Sequence, residues 1–204
     1  RTKRGLRFFA GAWLAVCAAE MAQADELRWL GGASAAWNTS DLNWSSQGET
    51  VAFAPGSDVR FDDSTSVTNV TFSEAVSAGS VFFSNSVPYL LSGSNLVAAT
   101  KLIKSGPGTL RINNMNHTYA GDLLIEGGEL ISDANNDAVN ATWGTLGNPR
   151  AARTITVTND AALTLKNYGT FGGGHSTSRI LTTLNIVGGT LNMPPDCGNI
   201  VGPG

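Results

Sequence analysis

The sequence has few cysteines, few charges and no long apolar run. Only two of the 204 residues are cysteine, and 14% are charged. Because Cys17 lies in a segment that we expect to be removed on export, Cys197 has no partner, which excludes an internal disulfide framework. Cys197 is most simply a small buried hydrophobe. No stretch approaches the roughly 18 consecutive apolar residues of a transmembrane helix, so the sequence predicts no membrane span.

The first 24 residues have the pattern of a signal peptide. Four basic residues precede an apolar run at residues 8–19, and an Ala-Gln-Ala step then supplies the small-x-small pattern that a signal peptidase accepts. We expect cleavage before Asp25 and export of the remaining chain. A lipoprotein signal at Cys17 is the alternative, which Val16 disfavours because a small residue is expected at that position.

A basic surface and motifs for metals or cofactors are also absent. Without residues 1–24 the chain keeps nine basic and 15 acidic residues, which argues against a nucleic-acid partner. His117 and His175 are isolated, and only Cys197 remains in the mature chain, so the sequence predicts no zinc site. The Gly-rich loop at residues 172–176 matches neither a phosphate loop nor a nucleophile elbow, and we expect no cofactor.

Short runs of alternating apolar and polar residues make up most of the mature chain, and Gly, Asn, Ser and Pro bound them. Alternation with a period of two predicts β-strands with one buried face. Outside the signal peptide no window of helical length has a 3.6-residue period, so we predict an all-β fold. The clearest predicted strands are Val59–Phe61, Ser80–Ser84, Tyr89–Ser92, Thr109–Ile112, Leu123–Ile125, Thr154–Thr158, Ala162–Leu165 and Leu184–Val187.

Four leucines mark a repeated step, because each stands two positions after a Gly or Ala at the start of a predicted strand. They are Leu110, Leu130, Leu163 and Leu191, at spacings of 20, 33 and 28 residues. Self-similarity at such periods predicts stacked units, each unable to bury its apolar face alone. We therefore predict a parallel β-solenoid, interrupted at residues 133–153, with these leucines pointing into the stack.

The segment from Leu102 to Leu130 resembles the autotransporter-associated β-strand repeat, also called the passenger-associated transport repeat. It carries the steps S-G-x-G-T-L, N-x-x-x-Y-x-G and G-x-L, although Glu129 replaces the usual Thr of the last step. The preceding Trp-rich region, from Trp29 to Gly93, resembles the region that commonly precedes such repeats in large exported bacterial proteins. The residues that carry the repeat motif are Gly106, Gly108, Leu110, Tyr119, Gly121, Gly128 and Leu130.

The resemblance implies a right-handed parallel β-helix in a passenger that is secreted or displayed at the outer membrane of a Gram-negative-type bacterium. We divide the chain into a signal peptide (1–24), a Trp-rich β cap with the first coils (25–100) and the repeat solenoid (101–204). The chain starts with Arg1 and stops in a turn-like Val-Gly-Pro-Gly, so we expect a longer protein with further repeats.

Trp29, Trp37 and Trp44 are the candidate ligand-binding residues. Exposed, coplanar aromatic rings suit stacking on the apolar face of a sugar, and this interpretation requires at least two of the three rings to be exposed. The alternative, which we favour, is an apolar cap over the open end of the first coil. Tryptophan is a large hydrophobic side chain that folding usually buries.

Acidic residues provide the remaining candidate chemistry. Asp58, Asp62 and Asp63 are clustered as Ca²⁺ ligands often are, but without a known ligand spacing; the alternative is an Asp-rich turn in which Asp58 bonds its own backbone. Polysaccharide lyases and hydrolases need closely placed carboxylates. The acids of the repeat region lie mostly at turns, which disfavours an enzyme; they are Asp122, Glu126, Glu129, Asp133 and Asp137.

We predict a non-enzymatic, exported adhesin-like or structural segment. Its expected partners are extracellular glycans or other cell-surface components. The alternative functions are a carbohydrate-binding or polysaccharide-degrading β-helix module, and a spacer that holds another domain away from the membrane.

Overall fold

The computed structural model describes most of the chain that follows the predicted signal peptide. The described residues are 26–113, 117–133, 144–166, 170 and 182–193. The predicted signal peptide, both cysteines, His175, Asp137 and the Gly-rich loop at residues 172–176 lie outside them.

Short β-strands are the regular structure of the described residues, which include no helix. Accordingly, no helix in these ranges is long and apolar enough to cross a membrane. The strands are β1 (Leu27–Trp29), β2 (Ala36–Trp37), β3 (Trp44–Ser46), β4 (Glu49–Val51), β5 (Val59–Phe61), β6 (Asn69–Phe72), β7 (Val76–Ser77), β8 (Ser80–Ser84), β9 (Tyr89–Gly93), β10 (Leu96–Ala98), β11 (Lys101–Ser105), β12 (Thr109–Asn113), β13 (Asp122–Ile125), β14 (Glu129–Ser132), β15 (Thr154–Thr158), β16 (Ala162–Leu165), β17 (Thr183–Val187) and β18 (Thr190–Asn192).

The strands form two long sheets and one short one. Sheet 1 has the order β17-β15-β13-β11-β8-β5-β1-β3-β4, sheet 2 has the order β18-β16-β14-β12-β9-β6-β2, and sheet 3 pairs β7 with β10. From β5 onward the chain passes through sheet 1 and then sheet 2, and each new strand pairs in parallel with its predecessor in the same sheet. We call each such passage a circuit. The all-β prediction is confirmed, and the parallel sheets are compatible with a β-solenoid.

Inward side chains of successive circuits lie in register. In sheet 2, Leu110 pairs with Leu130, Leu130 with Leu163, and Leu163 with Leu191. The equivalence of these four leucines is therefore confirmed, including across the insertion at residues 133–153. The first three are fully buried. Burial of a leucine side chain contributes about 1.5–3 kcal/mol, so each circuit is stabilised mainly by its neighbours.

The turns between sheet 1 and sheet 2 need left-handed backbone. Gly106 has a φ of 77° and Gly128 a φ of 61°, and the equivalent turn of a later circuit uses Asn159 and Asp160 at 55° and 62°. Glycine adopts this region without steric cost, and Asn and Asp tolerate it better than other residues. A Cβ at Gly106 would also lie 2.6 Å from the carbonyl oxygen of Asn85, so two separate constraints select glycine there.

An antiparallel hairpin ends sheet 1 on the amino-terminal side. β3 pairs antiparallel with β1, and β4 pairs antiparallel with β3. The connecting residues Gln47 and Gly48 both have positive φ, at 50° and 88°. Two-residue hairpin turns with positive φ at both positions are favoured because their twist matches that of the flanking strands. β4 is three residues long and begins with the exposed Glu49. A short, charged edge strand disfavours pairing with another chain.

The leucine column generates the first prediction. Leu130→Ala should lower the free energy of unfolding by about 2–5 kcal/mol, because it opens a cavity between two circuits. The matched control is Ile131→Ala on the outward face of the same strand, where the side chain is only half-buried. Urea denaturation of both variants measures the difference. Equal losses would contradict the assignment of inward and outward faces.

Candidate functional site

All three candidate tryptophans lie in the core. Trp29, Trp37 and Trp44 are each 0% exposed. The ring centroids of Trp29 and Trp37 lie 5.0 and 5.2 Å from that of Trp44, with interplanar angles of 74° and 63°. The rings are therefore neither exposed nor coplanar. The condition that glycan stacking on these residues required is not met.

A buried asparagine organises the loop that carries these tryptophans. Asn43 is fully buried, and its Oδ1 accepts hydrogen bonds from the amides of Ala33 and Ser34 at 2.9 and 2.8 Å. Its Nδ2 donates to the carbonyl of Ala36 at 2.7 Å. Sequence reasoning missed this role, since an Asn in a polar loop gives no signal of its partners. Trp29 is fixed separately, because its Nε1 donates to the Val67 carbonyl at 2.8 Å.

The aspartates of the proposed Ca²⁺ cluster bind protein donors. Asp58 Oδ1 accepts from the amide of Ser80 in the next circuit at 2.5 Å, rather than from its own turn. Asp63 accepts from the Ser86 hydroxyl at 2.6 Å and from the Ser86 amide at 2.8 Å, and these bonds lower the pKa of its carboxyl. Asp62 forms an ion pair with Arg28 at 3.2 Å. All three carboxylates therefore join separate parts of the fold.

Three of the repeat-region acids also contact a neighbouring circuit. Asp122 accepts from the Thr154 amide at 2.7 Å, Glu129 accepts from the Thr164 hydroxyl at 2.5 Å, and Asp133 pairs with Arg111 of the preceding circuit. Glu129 thus keeps its place in the register despite its departure from the repeat motif. Among the described residues, no group of three His, Cys, Asp or Glu side chains is placed to hold a metal ion.

The repeat-motif glycines mark places where one circuit touches the next. A Cβ at Gly121 would overlap the carbonyl oxygen of Thr100, and a Cβ at Gly108 would lie 2.7 Å from the Ser86 backbone. The motif tyrosine, Tyr119, is 1% exposed. The motif residues are therefore packing residues, and none of them lines an open site in the described part of the chain.

No protein-family model, curated protein or solved structure matches this chain. The resemblance of residues 102–130 to a known repeat therefore stays a prediction.

Lys104 is the most unusual side chain that sequence reasoning missed. It is 0% exposed, and its Nζ donates to the carbonyls of Ser105 and Gly106 at 2.8 Å each and of Gly127 at 3.1 Å. Three carbonyls thus satisfy all three ammonium donors. Burial lowers the pKa of Lys104 to about 8. The alternating pattern of β11 could have predicted this burial, because Lys104 stands two positions after the inward Leu102 and therefore lies on the same face.

A second buried cation lies against the insertion. Arg153 is 5% exposed, and its guanidinium carbon lies 5.2 Å from the centre of the Tyr119 ring. It donates to the carbonyls of Gly121 at 3.1 Å and Asn148 at 3.2 Å, and to that of Leu146. We call residues 144–153 the strap, because Arg153 ties this segment to the circuit that contains Tyr119.

The Lys104 site generates the second prediction. Lys104→Met should destabilise the fold by about 2 kcal/mol at pH 7, because three buried carbonyls lose a charged donor. Lys101→Met is the matched control on the exposed face of the same strand. It should change stability by less than about 1 kcal/mol, because the contact it loses is an exposed cation–π contact with Phe82. Denaturant titrations at pH 7 measure both effects.

The pH dependence gives an independent readout. The unfolded Lys104 keeps its proton up to its ordinary pKa, whereas the folded residue loses it near pH 8. The unfolded state then binds more protons, so the contribution of Lys104 makes the wild type gain stability from about pH 8 to pH 10. Lys104→Met should lack this gain. Indistinguishable wild-type and variant pH profiles would contradict a buried ammonium.

Proposed function

We propose that this chain is part of an exported, non-enzymatic bacterial passenger with a structural or adhesive role, similar to proteins with autotransporter-associated β-strand repeats. In this proposal a right-handed parallel β-helix forms the shaft, and the Trp-rich region covers its amino-terminal end. The signal peptide directs export, and the partners are extracellular glycans or other cell-surface components.

The observation that carries the proposal is that the repeat-motif residues pack successive circuits against one another. Leu110 and Leu130 are 0% exposed and occupy one column of sheet 2, while Gly106, Gly108 and Gly121 stand where circuits approach closely. These residues serve stacking, as expected of a shaft. Because the recurring motif residues pack one circuit on the next, they support an architectural role for the protein.

The candidate catalytic and binding side chains support the same conclusion. Trp29, Trp37 and Trp44 contribute to the core. Carboxylates that an enzyme would keep for its substrate instead accept protein hydrogen bonds, as Asp122 and Glu129 do. Hydrolysis of a glycosidic bond requires two carboxyl groups that both face the substrate.

The outer face of sheet 1 offers a strip for adhesive contact. Phe82, Ile103 and Leu124 are half-buried register neighbours in three successive circuits. The Arg60 guanidinium carbon and the Lys101 Nζ lie 5.3 and 5.5 Å from the centre of the Phe82 ring. Apolar side chains beside cations suit contact with amphipathic surfaces, and the register neighbours at the two ends of the strip are Arg60 and Thr156.

The third prediction concerns export and activity. The full chain, expressed in a Gram-negative host, should be recovered outside the cytoplasm with Asp25 as its first residue, measured by mass spectrometry. The recovered protein should release no reducing ends from a panel of plant, algal and bacterial polysaccharides, because Asp122 and Glu129 already accept hydrogen bonds from the protein.

Two results would contradict the proposal. One is retention of the uncleaved chain in the cytoplasm. The other is polysaccharide turnover that Glu126→Gln or Glu129→Gln abolishes while the circular dichroism spectrum stays unchanged. Glu49→Gln, at the exposed start of β4, is the matched control for the same substitution outside the repeat region.

A further inference from the structure

His117 is buried in the segment that connects β12 to β13, two residues before Tyr119, and its ring accepts a hydrogen bond. We call residues 117–119 the corner. His117 is 2% exposed, and its Nδ1 accepts from the amide of Leu96 at 2.9 Å. An acceptor nitrogen carries no proton, so the neutral ring has its hydrogen on Nε2. The adjacent Thr118 amide donates to the Leu96 carbonyl at 3.0 Å. Leu96 thus holds this corner through both of its backbone polar groups.

The strap is attached to the same corner. The Asn148 amide donates to the Tyr119 carbonyl at 2.9 Å, and Arg153 lies against the Tyr119 ring. Leu146 of the strap is fully buried. The His117 ring centroid is 6.2 Å from that of Tyr119, so Tyr119 is the direct link between His117 and the strap.

We propose that His117 is an acid-sensitive switch whose protonation releases the strap at residues 144–153 from Tyr119. A proton on Nδ1 turns the acceptor into a donor, so the bond from the Leu96 amide is lost. The imidazolium would also be a buried charge without a counterion, in contact with aromatic rings. The ring packs on Tyr119, which Asn148 and Arg153 of the strap also bind, so an imidazolium that moves toward water displaces this tyrosine from the strap.

The surroundings of His117 contain no described carboxylate that stabilises its charged form. β6 presents the Phe72 ring at 5.9 Å, β10 presents the Leu96 amide, and its own segment presents Tyr119. Beyond Tyr119 the strap presents Arg153. Burial raises the pKa of Tyr119, so this phenol stays neutral in acid.

Burial lowers the pKa of His117 from 6.5 to about 4. With the strap released and the ring in water, the pKa returns to its ordinary value. The closed state therefore has its full stability above about pH 6.5 and loses it as the pH falls toward 4. Between these values the released state binds the extra proton. Acidification in this range favours release.

Hydrogen–deuterium exchange of the full chain at pH 7 and pH 4.5 tests the proposal, with rates corrected for the intrinsic pH dependence of exchange. Protection of the Leu146, Gly147 and Asn148 amides should fall about fifty-fold at pH 4.5. Protection of β8 and β9 should change less than about three-fold. Equal loss in the strap and in these strands would mean global acid unfolding and would overturn the proposal.

Two variants and a direct titration complete the test. His117→Gln keeps an acceptor for the Leu96 amide but cannot be protonated, so its strap should stay protected at pH 4.5. His175→Gln, at the chain's other histidine, should respond as the wild type does. A strap that opens in acid in His117→Gln would overturn the proposal. If His117→Gln does not fold, an NMR titration of His175→Gln decides. Loss of strap protection with the same midpoint as the His117 signals supports the switch, whereas a His117 midpoint near 6.5, or a strap that opens at a different pH, overturns it.

Discussion

Parallel backbone pairing between successive circuits is the constraint on which the rest of this structure depends. From β5 onward, each strand of the long sheets shares hydrogen bonds with a strand that lies 20 to 35 residues away in sequence, as Leu130 does with Leu110 and Leu163. Because neighbouring strands lie about 4.8 Å apart, every side chain has a fixed neighbour above and below. Apolar residues inside therefore stack in columns, and a polar side chain inside depends on partners in its own or a neighbouring circuit.

Lys104 and Asn43 show how the buried polar groups meet that requirement. The Lys104 ammonium takes three carbonyls at a turn where glycines bring two circuits together. The Asn43 side chain accepts hydrogen bonds from the amides of Ala33 and Ser34, which lie in the loop before β2. Arg153 does the same for the strap, with carbonyls instead of a carboxylate. Each group is bound to backbone atoms, which removes the cost of an unpaired buried donor or acceptor.

The sequence predicted the strands and the leucine register well, because both are encoded locally. Alternation with a period of two predicts a strand. A Gly or Ala two positions before Leu130 or Leu163 predicts where the sheet 2 strand of each circuit begins. The insertion did not disturb the register, since the strands that follow it pair in parallel with those that precede it, β15 with β13 and β16 with β14. The partners of polar side chains were beyond local reasoning. The Asp58 carboxylate binds an amide 22 residues away, in the next circuit.

In-register stacking across the insertion is the central claim, and inter-strand nuclear Overhauser effects test it most directly. Backbone contacts should join Leu130 to residues 162–164, in the amide-to-α-proton pattern of parallel strands. Equivalent contacts should join Leu110 to the Leu130 segment. Short contacts between α-protons, which are typical of antiparallel pairing, would contradict the account. So would a partner for Leu130 outside residues 162–164 on one side and the Leu110 segment on the other.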